Sequence, residues 1–316
     1  MLRQVFERLA GTLTTLVLSS FVIFGSLFLV PGDTASFLLR GRAVSPEALE
    51  VIRRQYRLDD PFLVQYLNWI RGIVSGDMGQ STQFRQDVAE LLAARAPTTL
   101  FLMVYSGLIV VIVGLILGTI AATRGGIVDK IVLVGTSVAT ATPAFVAAIF
   151  LMGFLSVQLG WFPTFGNGEG LVDRLYHLTL PAIALGFTLL GLLARVTRAS
   201  MINTMQLEHV EVARSRGLPE RTVTRRHILR NSLGPILTVT GAMISALLVS
   251  TVIVETAFGL SGLGSLLVQA VTARDFPVVQ SIALLGVMIF VLSNLVLDLL
   301  YPLIDPRIKL GKVARA

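Results

Sequence analysis

The segment Glu208 to Pro235, EHVEVARSRGLPERTVTRRHILRNSLGP, sets carboxylates among guanidinium groups. Glu208, Glu211 and Glu220 stand with eight Arg between residues 195 and 235. The chemistry that this offers is recognition. Glu211 is an acceptor, Arg214 a donor, and the small Ala213 and Gly217 beside them leave room for a partner's surface. Bond-breaking chemistry lacks its parts. Ser261 in Gly259-Leu-Ser-Gly262 is a candidate nucleophile, with His177, His209 and His227 all before it in the chain. The three His make no metal-ligand pair at helical spacing, and no Cys is present. The three Lys, 130, 309 and 312, are followed by Ile, Leu and Val, so no Gly-x4-Gly-Lys-Ser/Thr phosphate loop exists.

The elements that must hold this segment are apolar. Hydrophobic residues make up 54% of the 316 and charged residues 14%, against roughly a quarter charged in soluble domains. Charge-free runs occupy 9–32, 96–123, 131–168, 175–194, 231–254 and 276–297. Each is long enough for a helix to cross ~30 Å of hydrocarbon at ~1.5 Å per residue. The second half of 131–168 is broken by Pro163, Gly166, Gly168 and Gly170, so it reads as one span and a loop. The fold class is therefore an all-α integral membrane protein with six transmembrane helices. The spans read as roughly 9–30, 98–122, 131–156, 177–194, 235–255 and 278–300. Pro143 frees a carbonyl and kinks the third, which makes it a pathway candidate. Gly114 and Gly118, four apart in the second, permit close helix packing.

Charge sets the orientation. With both termini inside, the cytoplasmic segments hold sixteen Lys and Arg, while the two short outer loops hold only Arg174 and Arg274. The eight basic residues of 31–97 are balanced by eight acids, and long loops cross largely regardless of charge. The +7 net charge is thus topology, not a nucleic-acid footprint. The first apolar run is too long for a signal core and reads as a retained anchor. The chain divides into a cytoplasmic N-terminus with span one (1–30), an extracytoplasmic helical insert (31–97) and a five-span core (98–316) with a cytoplasmic loop at 199–235. In the insert, Ser45-Pro46-Glu47 starts one helix. Asp60-Pro61 starts another, which carries Phe62, Tyr66, Trp69 and Ile70. Their stripe either packs on neighbouring helices or sits at headgroup level. In the loop, one helix spans about 203–216 and stops at Gly217, which suits a left-handed cap. Pro219 and Glu220 open a second.

This loop resembles the Glu-Ala-Ala, three residues, Gly, nine residues, Ile-x-Leu-Pro pattern of importer permeases of the ATP-binding-cassette class. Glu211, Ala213, Gly217 and Leu229 match. Val212, His227 and Arg230 replace the first Ala, the Ile and the Pro. Other segments resemble the dipeptide, oligopeptide and nickel branch of these permeases along nearly the whole chain. They are Leu29-Val-Pro-Gly-Asp33, Leu58-Asp-Asp-Pro61 with Gln65-Tyr-Leu67, Gly76-Asp-Met-Gly79 and Trp161-Phe-Pro163. Further on come Glu255-Thr-Ala-Phe-Gly-Leu-Ser-Gly-Leu-Gly264, Arg274-Asp-Phe-Pro277 and Asp298-Leu-Leu-Tyr301 with Asp305-Pro-Arg307. Ser261 stands where that branch commonly has Pro. The long outer insert is similar to that of the first of two permease subunits.

The resemblance implies a non-enzymatic, multi-pass subunit of a bacterial inner membrane. It would pair with a second permease as a heterodimer, be moved by two cytoplasmic ATPases, and receive substrate from an extracytoplasmic binding protein. The chain itself would contact membrane lipid and no nucleic acid. It needs no cofactor, ATP and Mg belonging to the ATPases. The cargo implied first is a dipeptide or oligopeptide; a nickel chelate or glutathione is the alternative. ATPase coupling falls to Glu208, Glu211, Ala213, Arg214 and Gly217. Pathway candidates are Pro143 and Glu255. The insert, with Tyr66 and Trp69, is expected to help seat the binding protein. Two rivals are weaker. Gly259-Leu-Ser-Gly262 resembles the Gly-x-Ser-Gly of rhomboid proteases, without the later His. A secondary transporter would carry ionisable residues within its spans, and only Glu255 and Asp298 qualify, both near span ends.

Overall fold

The computed structural model describes residues 2–26 and 59–304, with side chains over 6–26 and 59–296. The helix expected at Ser45-Pro46-Glu47, the motif 29–33, the Asp298 side chain and residues 305–316 lie outside what is described. Among the described residues ten helices carry the fold: α1 Leu2–Ser26, α2 Phe62–Ser75, α3 Val88–Arg124, α4 Gly126–Ala141, α5 Ala144–Leu151, α6 Gly170–Met205, α7 Glu208–Ser215, α8 Leu233–Ala257, α9 Leu263–Thr272 and α10 Phe276–Ile304. A π-helical stretch, Met152–Gln158, extends α5. The helical turns Glu220–Thr222, Val223–Leu229 and Arg230–Ser232 lead directly into α8. No strand occurs among the described residues, where Gln80 and Asp87 form one isolated bridge. Among the described residues five helices are long and apolar enough to cross a membrane, and α4 with α5 makes a sixth crossing if that bent pair is one span.

Three element boundaries differ from those expected. α3 starts at Val88, eight residues before the charge-free run 96–123, and takes Pro97 into its body. α6 runs from Gly170 to Met205, so residues 203–205 belong to it and not to the loop's first helix. Charged residues such as Glu90, Asp173 and Arg198 stop a hydropathy reading without stopping a helix, because a helix end projecting into water accepts them. The third span is also broken, not merely kinked: its halves meet at 107° around Thr142 and Pro143. Pro143 cannot donate to the turn before it. Thr188 Oγ1 of α6 donates to the Thr142 carbonyl at 2.7 Å, which satisfies a group that a broken helix leaves bare.

The residues fall into two compact units. One comprises residues up to 97 with 262–295. There Val88, Leu91 and Leu92 of α3 pack with Leu263, Leu266 and Ala270 of α9 and with Val278 and Ile282 of α10. Asp275, fully buried between α9 and α10, clamps the turn before α3. It accepts from Ser81 Oγ at 2.5 Å, from the Gln83 amide at 3.0 Å and from the Thr82 amide at 3.3 Å. Arg274 beside it holds a left-handed φ of 56°, a conformation that costs a non-Gly residue ~1–2 kcal/mol. In the same unit α2 lays Phe62, Tyr66 and Trp69 against Phe21 and Phe24 of α1, with ring centroids 5.3–5.8 Å apart.

The other unit comprises 98–261 and is built around α6. Leu178, Leu180, Ala182 and Leu185 form its buried centre with Leu102 of α3, Ala147 and Ala148 of α5, and Leu247 and Val254 of α8. Glycines set the helix spacing. A Cβ on Gly118 of α3 would stand 2.5 Å from Thr197 Cβ and 2.6 Å from the Ala194 carbonyl oxygen, so only Gly lets α3 and α6 approach this closely.

Candidate coupling surface

α6 ends at Met205, and after the Gln206–Leu207 turn the chain re-enters a helix as α7. Glu208 and Glu211 lie in the first turn of α7, where carboxylates complement the exposed amides. The helix stops by a left-handed cap. Gly217 has φ 73°, its amide bonds the Arg214 carbonyl at 2.9 Å, and the Leu218 amide reaches back to Ala213 at 3.4 Å. A side chain on Gly217 would meet nothing within 4 Å. Position 217 therefore faces open space.

α7 has an anchored face and a free face. Val210 and Ala213 are buried against Met201 of α6 and against Val223 and Ile228 of the turn that leads to α8. Ser232, fully buried, donates to Thr204 Oγ1 at 3.0 Å, and Ser200 donates to the Ser232 carbonyl at 3.1 Å. These bonds tie the end of α6 to the start of α8. A little further along α6, Arg198 grips Asp129 of α4 through two parallel hydrogen bonds, 2.5 and 2.6 Å long. α7 is thus joined to α6, α8 and, through α6, α4 by packed side chains and paired polar groups.

The free face carries Glu208, Glu211, Val212 and Arg216. Val212 is 47% exposed and Leu207 50%. An open groove of about 460 Å³ lies here, lined by Glu208, His209, Val212, Ala213, Arg216 and His227 among others. Arg214 turns aside to pair with Glu220 at 2.9 Å. Behind two of the lining residues, Asn231 Nδ2 donates both to His209 Nε2 at 3.1 Å and to the His227 carbonyl at 2.7 Å.

Of the residues picked out from sequence, Glu208, Glu211, Ala213, Arg214 and Gly217 share this one surface. Ala213 serves it from below, packed into the core and reaching the groove wall. His209, His227 and Asn231 went unassigned in the sequence reading, because His227 and Asn231 lie 18 and 22 residues from His209. Pro143 and Glu255 stand elsewhere. Pro143 is exposed at the 107° bend. Glu255 is fully buried at the far end of α8, where Thr99 Oγ1 donates to it at 2.5 Å. On that side Asn167 joins two segments: its Nδ2 donates to Thr98 Oγ1 at 3.3 Å, and its Oδ1 accepts from the Ser261 amide at 3.0 Å.

Within the unit built around α6, an all-helical bundle with a broken span carries the anchored amphipathic α7. The chain belongs to the family of binding-protein-dependent transport system inner membrane components, whose model matches residues 114–310. The N-terminal model of the same membrane component matches 1–103. It is a permease subunit of an ATP-binding-cassette importer. The glutathione transport system permease protein GsiC of Shigella flexneri serotype 5b (strain 8401) is 37% identical over 310 residues, 98% of this chain and 99% of that protein. GsiC of Escherichia coli (strain K12) is 36% identical over the same shares. Among solved structures, the inward-facing MetNI methionine ABC transporter matches with a TM-score of 0.55 and 16% identity, over 68% of this chain and 96% of that one. An amino acid ABC transporter crystallised with histidines matches at 0.52 and 22%, over 69% and 94%. Both structures share the fold.

Proposed function

We propose that this chain forms half of the pathway of a glutathione importer, paired with a different second permease and driven by two cytoplasmic ATPases. The observation that carries the cargo is the 36–37% identity, over 98% of the chain, to permeases named for glutathione transport. The sequence motifs put dipeptides and oligopeptides first and glutathione among the alternatives; the relatives reverse that order. The two readings share chemistry, since glutathione is a tripeptide with a γ-linked Glu.

α7 docks onto the ATPase in this reading. ATP binding draws the ATPases together, the push passes through Val210 and Ala213 into α6 and α8, and the cavity changes the side it faces. ATP must favour one state over the other, because equal affinity shifts nothing. Both termini and 199–235 lie in the cytoplasm, with the 31–97 insert outside; the Lys and Arg distribution supports this. The insert's aromatic residues Tyr66 and Trp69 are turned onto α1, so a seat for the binding protein would use other parts of 31–97.

Uptake of labelled glutathione by proteoliposomes holding the complete transporter and its binding protein tests the cargo. Glutathione should stimulate ATP hydrolysis and accumulate inside, with ordinary dipeptides competing weakly. Turnover driven by dipeptides, and indifferent to glutathione, would return the cargo to the peptide class.

A further inference from the structure

α2 carries two apolar stripes side by side. Phe62, Tyr66, Trp69 and Ile73 fall on one line of the helix, and the three aromatic residues pack on Phe21 and Phe24 of α1. Tyr66 shares a 2.9 Å hydrogen bond with Ser20, so its polar tip is satisfied as well. One step round the helix, Leu63, Leu67, Ile70 and Val74 make the second stripe. Leu63 is 62% exposed, Leu67 52% and Val74 83%. Gln65, Asn68, Arg71 and Ser75 occupy the remaining arc, and Arg71 is the helix's one charged residue.

We propose that α2 lies along the outer membrane surface, with this second stripe immersed in lipid. Three observations select lipid as its occupant. The 14 residues of α2 span roughly 21 Å, too short to cross ~30 Å of hydrocarbon. Its seat lies in the last two turns of α1, a helix apolar enough to cross the membrane, so α2 sits where that span leaves the bilayer. The exposed apolar surface of α1 at Val17, Leu18 and Val22 continues through the partly exposed Phe21 onto α2, so lipid bathing one reaches the other. Tyr66 and Trp69 then stand at the depth where aromatic side chains collect. An amphipathic helix held this way anchors the start of the outer segment in the plane of the membrane.

The chain has no Cys, which makes the test direct. Leu67→Cys, Val74→Cys and Arg71→Cys variants would each carry one environment-sensitive fluorophore, in the complete transporter in lipid nanodiscs. All three positions are exposed, so labelling does not disturb a core. Brominated lipid should quench the Leu67 and Val74 probes about threefold more strongly than the Arg71 probe, and aqueous iodide should show the reverse order. Equal iodide access at all three positions would overturn the proposal. Shielding of Leu67 and Val74 from both quenchers would overturn it too. If that shielding appeared only on adding the binding protein, the stripe would be a protein docking face; if it were present without it, a contact with another subunit.

Discussion

Ser232, at the start of α8, donates its hydroxyl to Thr204 Oγ1 near the end of α6 across 3.0 Å, and both residues are buried. The bond closes the base of the loop that carries α7. Under the proposed coupling, it should make α6 and α8 answer together when α7 is moved. Ser232→Ala should cost about 0.5–1.5 kcal/mol, the ordinary worth of such a bond, and leave the chain inserted. Transport per ATP hydrolysed should fall. Measuring uptake and hydrolysis on the same vesicles checks this, and an unchanged ratio would show that the bond carries no motion.

Arg198 and Asp129 extend the same path to the broken span. Both are partly buried, with side chains 25% and 17% exposed. Arg198→Ala should destabilise by roughly 1–3 kcal/mol through loss of a charge-assisted pair. It should also lower transport more than it lowers assembly with the ATPases. The exchange variant Arg198→Asp with Asp129→Arg should recover part of the loss, read as a double-mutant cycle on uptake rate.

Close packing at Gly118 gives a stability test. Gly118→Ala places a methyl 2.5 Å from Thr197 Cβ, and overpacking of this kind costs typically 1–3 kcal/mol. The melting temperature in detergent should drop. Gly11→Ala, inside α1 with nothing within 4 Å of the new methyl, should not lower it, since Ala is the better helix former.

Asp275→Ala should free the turn at 81–83 by removing an acceptor of one hydroxyl and two amides. Bonds to a charged group are worth about 1.5–3 kcal/mol each, so the effect should be local and large. Hydrogen exchange across residues 79–87 should accelerate, while α7 and its surroundings, in the other unit, keep their protection.

What the sequence discloses depends on distance along the chain. The apolar runs are legible because a span has to be continuous. The Gly217 cap is legible because Ala213, Arg214 and Leu218 complete it within a few residues. The break at Pro143 reads as a kink, because the group that satisfies the Thr142 carbonyl is Thr188, 46 residues away. Asp275 lies in a segment that marks the family, yet its role is invisible until Ser81, 194 residues distant, is brought to it. Arg198 and Asp129 are 69 apart, and in sequence each is one more charge beside an apolar run. Ala213 shows the converse: its small size is evident in sequence, and its burial between α6 and the turn into α8 is not.

Residues 199–235 should also be cytoplasmic, since sixteen Lys and Arg fall on that side against two in the short outer loops. A single Cys at Ser215 should react only with a membrane-permeant reagent in intact cells. Reaction with an impermeant reagent added outside would invert the topology and remove α7 from any cytoplasmic motor.

The most direct test of the central claim, that α7 receives the ATPase, is Gly217→Val alongside Glu211→Ala in the assembled transporter. A Cβ on Gly217 meets no atom within 4 Å. The left-handed backbone at φ 73° adds roughly 1–2 kcal/mol of strain, too little to unfold the spans, so folding and insertion should survive. Glu211 is exposed and its loss leaves the core intact. Copurification of the ATPases and uptake would be measured on the same preparations. The account predicts normal insertion, weakened or uncoupled ATPases and little transport in both variants. Both variants holding their ATPases and transporting at wild-type rates would contradict it, and α7 would then be only a solvated connection between α6 and α8.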